Sequence, residues 1–250
     1  MRAKKSLGQN FLKNTSILRK IAEALDVKED DTIVEIGPGH GELTRFLVTR
    51  TPKELIVIEK DEKLAGDLQQ KFDAVQTISG DALKVLSQLN PPKEWKLVGN
   101  IPYYITGHLL RILSELPNPP FKTVLLVQKE VAERISAVPP KANLLSSVTR
   151  GWASPEYLFT IPRDNFCPVP KVNSAVILLN RDKLIGGEKY YTTVKALFCQ
   201  PRKKAINNLA DSLNISKLNA KKIFEVCNLS PDLRPQNFSL EDIICISRNF

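Results

Sequence analysis

The chain has 250 residues, 42% hydrophobic and 25% charged, with a formal net charge of +9 and an isoelectric point near 9.3. That composition marks a globular chain long enough for one large domain and a small one. Its longest apolar runs, "TVLLV" (123–127) and "AVILL" (175–179), fall far short of the roughly 20 residues of a membrane span, and the start "MRAKKSLGQNFLKN" lacks a signal-peptide pattern, so cytosol is the expected compartment. The first 20 residues carry six Lys or Arg and no acid. "NTSILRKIAEALDV" (14–27) then places Ile17, Leu18, Ile21, Ala22 and Leu25 at helical spacing behind an Asn/Thr cap, which predicts a first helix. Short β-rich runs follow at "TIVEIG" (32–37), "ELIVIEKD" (54–61), "VQTISGDA" (75–82), "KLVGN" (96–100) and "TVLLVQ" (123–128), each leading into a helical stretch. The alternation predicts βαβ units and a parallel sheet covered on both faces. "YLFTI" (157–161) and "SAVILLN" (174–180) are joined by a Pro-rich loop without room for a crossover helix, which predicts an antiparallel pair. After Asn180, "LIGGEK" reads as a linker and only helical periodicity remains, placing a domain boundary between 183 and 184.

Charge follows the same division. Residues 181–250 hold twelve Lys or Arg against seven Asp or Glu, leaving the middle of the chain slightly negative. Basic ends around a near-neutral middle suit an enzyme that grips nucleic-acid phosphates away from its chemistry. Solvated lysines on a basic soluble protein explain the same charge. Cys167, Cys199, Cys227 and Cys245 form no C-x-x-C pair, so no zinc site or disulfide framework is expected and all four are read as reduced packing residues.

Chemistry concentrates at the strand ends. "VEIGPGHGELT" (34–44) brings Gly37, Gly39 and Gly41 between a strand and a helix, where backbone can approach a ligand at the carboxyl edge of a sheet. Its G-x-G-x-G spacing is neither the dinucleotide fingerprint nor a P-loop, which points to a nucleoside without a pyrophosphate. NAD binding and a simple tight turn stay open. Glu59, ending the second strand, is suited to accept from two ribose hydroxyls, or belongs to a solvated turn. Asp81 could accept from an exocyclic adenine amine, or cap a helix. Together Gly37, Glu59 and Asp81 outline adenosine with an attached amino acid. "GNIPYY" (99–104) ends a buried strand with an amide, a proline and two rings, which reads as a turn with a tyrosine lid or as a pocket for a flat polar ring. His40 and His108 are assigned no acid–base role.

The runs "SLGQNFL", "EIGPGHGELT", "VIEKD", "GDAL", "GNIPYYIT" and "NFCPVPKVNSAV" resemble the rRNA adenine N6,N6-dimethyltransferases, of the bacterial KsgA type, over nearly the whole chain. "LFCQPRKKAINNL" (197–209) and "LRPQNFSLEDI" (233–243) extend the likeness. The resemblance implies an α/β fold, a doubly wound Rossmann-like class I methyltransferase sheet, mostly parallel with an antiparallel last strand, and a small C-terminal all-helical domain. It implies residues 1–183 as the catalytic domain, with 1–13 as a basic lid, and 184–250 as a helical rRNA-binding domain. The implied methyl donor is S-adenosyl-L-methionine, leaving S-adenosylhomocysteine, with Asn10, Leu12, Gly37, Gly39, Glu59, Asp81, Ala82 and Asn100 as its contacts. No metal is implied. The implied substrate is a pair of adjacent adenosines in the 3′-terminal hairpin loop of 16S rRNA, within an immature 30S subunit, acted on by a monomer.

In that setting Asn100, Ile101, Pro102, Tyr103 and Phe166 become the catalytic set. An adenine amine is a weak nucleophile, and accepting its two hydrogens on the Asn100 oxygen and the Ile101 carbonyl would aim its lone pair without a general base. Pro102 would stiffen the turn and Tyr103 would stack on the base. Phe166 is expected as a second, exposed stacking ring, with a core plug as the alternative. Lys4, Lys5, Lys171, Arg202, Lys203 and Lys204 are the expected RNA contacts. Tyr104 and Cys167 depart from the commoner family pattern. An Erm-type 23S rRNA dimethylase and a noncatalytic RNA-binding assembly factor are the alternative functions.

Overall fold

The strands β2 (Thr32–Ile36), β3 (Glu54–Glu59), β5 (Trp95–Asn100) and β6 (Lys122–Gln128) are largely apolar because both of their faces are covered, with Glu35 and Lys96 buried among them. The computed structural model describes residues 9–181 and 186–250. Lys4, Lys5 and the expected boundary at 183–184 lie outside the described residues. A seven-stranded sheet runs in the order β4-β3-β2-β5-β6-β9-β7, with β4 at Gln76–Ser79, β7 at Ser154–Ile161 and β9 at Ser174–Asn180. The pairs from β4 across to β6 are parallel, and β9 runs antiparallel to β6, with Val124 opposite Leu178. The late strands are sheet neighbours, as their short connection required.

Between these strands lie α2 (Thr44–Val48), α3 (Glu62–Lys71), α4 (Ala82–Gln88) and α5 (Thr106–Glu115), and α6 (Lys129–Ser136) follows β6. The first helix, α1 (Thr15–Leu25), buries Leu18, Ile21, Ala22 and Leu25 and packs on β6 and β9. Asn14 caps it by accepting from the amides of Ser16 and Ile17, and Asp26 ends it in the left-handed region at φ 54°. "SLGQNFL" carries no strand pattern, yet Phe11–Leu12 forms a short strand, β1, antiparallel to β8 (Phe166–Cys167).

The chain divides into two compact units, residues 1–132 with 156–181 and residues 133–155 with 182–250. The second unit therefore includes a segment that the sequence pattern placed with the sheet. Its helix α7 (Leu144–Arg150) packs on α8 (Glu188–Phe198), where the Tyr190 hydroxyl donates to the Ser147 carbonyl at 2.7 Å. With α9 (Ala205–Leu213), α10 (Lys217–Val226) and α11 (Leu240–Arg248), it surrounds a core built on Leu197, Phe224, Phe238 and Ile246. Cys227 and Cys245 are disulfide-bonded, which corrects the expectation of four free thiols. The two lie 18 residues apart, and helix packing brings their Cα atoms to 5.8 Å, within bridging range. Cys167 and Cys199 are free. Among the described residues no helix is long and apolar enough to cross a membrane.

Candidate active site

Parallel register brings the motif residues to one level. Ile36 pairs with both Ile58 and Gly99, and Glu59 pairs with Ser79, so Gly37, Glu59 and Asn100 emerge side by side at the carboxyl edge. Strand order reverses there, between β2 and β5, the switch point at which open α/β sheets form ligand crevices. An open cleft occupies the edge. Asn10, Gly37, Gly39, Glu59, Asp81, Ala82 and Asn100 all line it, as do Ile101, Pro102 and Tyr103.

The floor is kept low by glycine. Gly37 and Gly39 sit at φ +63° and +62°, where a side chain is strained. A Cβ on Gly39 would lie 2.8 Å from the Phe11 ring, and one on Gly37 would lie 3.3 Å from the Asn100 carbonyl oxygen. His40 packs its ring on Phe11, 4.7 Å between centroids, and so helps close the glycine loop.

Two carboxylates offer acceptors. Glu59 is 6% exposed and receives the amides of Gly39 at 3.1 Å and Asp61 at 2.9 Å. Burial raises its pKa against the pull of those amides. Asp81 joins both of its sequence readings, lining the cleft while its Oδ1 caps α4 through the Leu83 amide at 3.0 Å. Its Oδ2 pairs with Lys60 at 2.8 Å, which holds the carboxyl below its usual range. Lys60 also lines the cleft. A lysine in an acidic turn looks solvated in sequence, and only the sheet register brings it to Asp81.

At the far wall, the Asn100 amide nitrogen donates to the Asn10 carbonyl at 3.0 Å. That bond settles the amide's orientation and leaves Oδ1 as its acceptor. Tyr103 is half-buried, and its hydroxyl bonds the Ser174 hydroxyl at 2.6 Å, fixing the ring. Tyr104, a departure in the motif, is 64% exposed at the cleft. Ile101 has its side chain in the core, so its backbone is the part available to the cleft.

Two expected site residues are buried. Leu12 and Phe166 are each 3% exposed and packed in the core beside Leu18 and Ile161; Leu12 lines a smaller cavity that shares Gly37 and Asn100 with the cleft, whereas Phe166 lines neither. The expectation of an exposed ring at Phe166 is thereby corrected. Its strand pairs with β1, and its ring belongs to the main core. Lys171 is exposed on the loop before β9, and Arg202, Lys203 and Lys204 are exposed between α8 and α9.

The family Ribosomal RNA adenine dimethylase matches residues 1–243 of this sequence. The chain belongs to that family. Ribosomal RNA small subunit methyltransferase A of Fusobacterium nucleatum is 36% identical to this family member, covering 99% of the chain and 97% of the relative. The protein of the same name from Streptococcus sanguinis is 37% identical, covering 98% and 90%. A dimethyladenosine transferase from Plasmodium falciparum has the same fold, with a TM-score of 0.79 at 24% identity over 94% of this chain and 95% of that one. The 23S rRNA methyltransferase ErmE shares it at a TM-score of 0.77 and 24% identity, covering 96% and 98%. The chain is thus an rRNA methyltransferase of Rossmann-like fold.

Proposed function

We propose that this enzyme transfers methyl groups from S-adenosylmethionine to the N6 amines of two adjacent adenosines in the 3′-terminal hairpin loop of 16S rRNA. The observation that carries the reading is Asn100. It stands on the cleft with its nitrogen engaged and its oxygen available, next to a fixed tyrosine ring. The names of the relatives at 36–37% identity support the small-subunit substrate over the large-subunit one.

The cleft fits S-adenosylmethionine by its donor and acceptor set. Glycines at positive φ leave room for a ligand against backbone, Glu59 offers carboxylate oxygens to ribose hydroxyls, and Asp81 offers one to an adenine amine. The donor, when bound, supplies an electrophilic methyl group on a sulfonium. Asn100 Oδ1 and the Ile101 carbonyl accept the two hydrogens of the target amine, drawing its lone pair out of conjugation with the ring and aiming it at the methyl group. Both dipoles stabilise the positive charge that develops on nitrogen as the N–C bond forms. The amine proton leaves to solvent afterwards, so no side chain serves as base. Pro102 holds the turn, and Tyr103 and Tyr104 present aromatic faces to the target base. Stacking on Phe166 would require its ring to leave the core, so we assign Phe166 to packing.

Residues 1–183 carry the catalysis in this reading, and the helices of 184–250, with Lys4, Lys5, Lys171 and the "PRKK" turn, hold the rRNA of an immature 30S subunit. The protein acts as a cytoplasmic monomer. The test is incubation with labelled S-adenosylmethionine and undermethylated 30S subunits, beside 50S subunits and free 23S rRNA, followed by mass mapping. Two adjacent dimethyladenosines near the 16S 3′ end are expected. Label confined to 23S rRNA would overturn the substrate, and RNA binding without transfer would overturn the enzyme.

A further inference from the structure

The segment that reaches Asn100 is itself held at its other end. Lys13 donates its backbone amide to the Asn165 carbonyl at 2.9 Å, and the Asn14 side chain donates Nδ2 to Asn165 Oδ1 at 2.8 Å, across 151 residues. Neither amide is free to flip. Asn14 Oδ1 is committed to the α1 cap, through the Ser16 amide at 3.0 Å and the Ile17 amide at 3.3 Å, which forces its nitrogen toward Asn165. Asn165 Nδ2 donates to the Pro162 carbonyl at 3.0 Å, which turns its oxygen toward Asn14. Between Asn14 and the Asn10 carbonyl lie only the two residues of β1 and Lys13.

We propose that Asn14 and Asn165 form a latch that positions the catalytic amide. By pinning the end of β1 to the loop before β8, the latch sets where the Asn10 carbonyl lies, and that carbonyl decides which way the Asn100 amide faces. Asn165 touches no reacting atom in this scheme and is a positioning residue. A flipped Asn100 would offer its NH2 group to an amine that needs an acceptor, so a loosened latch lowers turnover before it unfolds anything. The inference rests on the methyl-transfer reading for its kinetic part only.

Asn14→Ser separates the latch from the cap, because serine is as good a helix cap but has no amide to offer Asn165. The expected result is a kcat lowered by about tenfold, an unchanged melting temperature, and Asn165→Ala equal to it. The double variant should be no worse than either single one, since both remove one link. Asn165→Asp keeps an acceptor for Asn14 but gives up the donation to Pro162, so it should turn over faster than Asn165→Ala without reaching wild type. Independently of activity, hydrogen exchange of the Lys13 amide should quicken by about tenfold in Asn14→Ser while the Leu18 amide keeps its protection. Undiminished kcat, losses that add in the double variant, or a Lys13 amide that exchanges as before would each overturn the latch. Should the wild-type protein transfer no methyl group, the functional reading falls, and the exchange measurement still judges the latch.

Discussion

Asn100 and Asn10 are 90 residues apart in the chain, and one hydrogen bond of 3.0 Å between them decides which atom of the Asn100 side chain faces incoming chemistry. Asn100→Ala removes that acceptor without opening the core, since the residue ends β5 at the cleft. Methyl transfer should fall by about 100-fold or more, the scale for losing one preorganised polar group at a developing charge. The melting temperature and S-adenosylmethionine affinity should stay close to wild type. Asn100→Asp tests the role of the bond itself, because a carboxylate cannot donate to Asn10 and repels its carbonyl. Near wild-type single-turnover rates in Asn100→Ala would remove Asn100 from the mechanism, and in Asn100→Asp they would show that the bond to Asn10 does not matter to the acceptor.

Phe166 separates packing from recognition. Its ring is 3% exposed in the main core, so Phe166→Ala should cost about 3–5 kcal/mol of stability through the cavity it leaves. A base-stacking residue would behave differently, losing productive RNA binding with its stability intact. Denaturant unfolding beside steady-state kinetics distinguishes the two.

The parallel sheet was legible because buried strands and crossover helices leave continuous apolar runs alternating with a helical period, and the motif residues fall where those runs end. Glu59, Asp81 and Asn100 needed no more than that. β1 and β8 were not legible. Two-residue strands carry no period, and their pairing of Phe11 with Cys167 depends on where the whole sheet puts two loops. For the same reason the sequence placed Phe166 on a surface. The Cys227–Cys245 bridge was hidden too, since its closeness is made by α10 and α11 packing. The pairing of Lys60 with Asp81 was hidden as well, since only sheet register brings the two strand ends together.

Glu35 should give the fold a measurable pH dependence. It is 1% exposed in β2, accepts from the Thr44 hydroxyl at 2.7 Å, and is pushed by burial from 4.5 up to about 8. Between those values the unfolded chain has released the proton while the folded one keeps it. Stability therefore falls as pH rises through this window, and the loss levels off above about pH 8. Glu35→Gln retains an acceptor for Thr44 and has nothing to titrate. At neutral pH it should be the more stable protein by on the order of 1 to 3 kcal/mol, with no advantage at pH 4. Equal slopes of melting temperature against pH for the two proteins would show that Glu35 titrates normally.

The "PRKK" turn should carry part of the salt dependence of RNA binding, and its three cations should not contribute alike. Lys204 already pairs with Asp232, whereas Arg202 and Lys203 are exposed at the start of α9, which has no acid in its first turn. The turn's shape depends on Asn208, 1% exposed, whose amide donates to the Leu197 carbonyl at 2.7 Å and the Gln200 carbonyl at 2.9 Å. Each phosphate contact to unpaired RNA contributes about 0.7 to the slope of log affinity against log salt. The Arg202→Ala/Lys203→Ala variant should therefore lose about 1.4 from that slope with its melting temperature unchanged, while Lys204→Ala should lose less because its charge is already matched. Asn208→Ala should lower both slope and stability, because it frees two carbonyls and unshapes the turn that presents the cations. Titrations of fluorescent 16S hairpin RNA at several salt concentrations read all three, and an unchanged slope in the double variant would move the RNA-binding surface away from this turn.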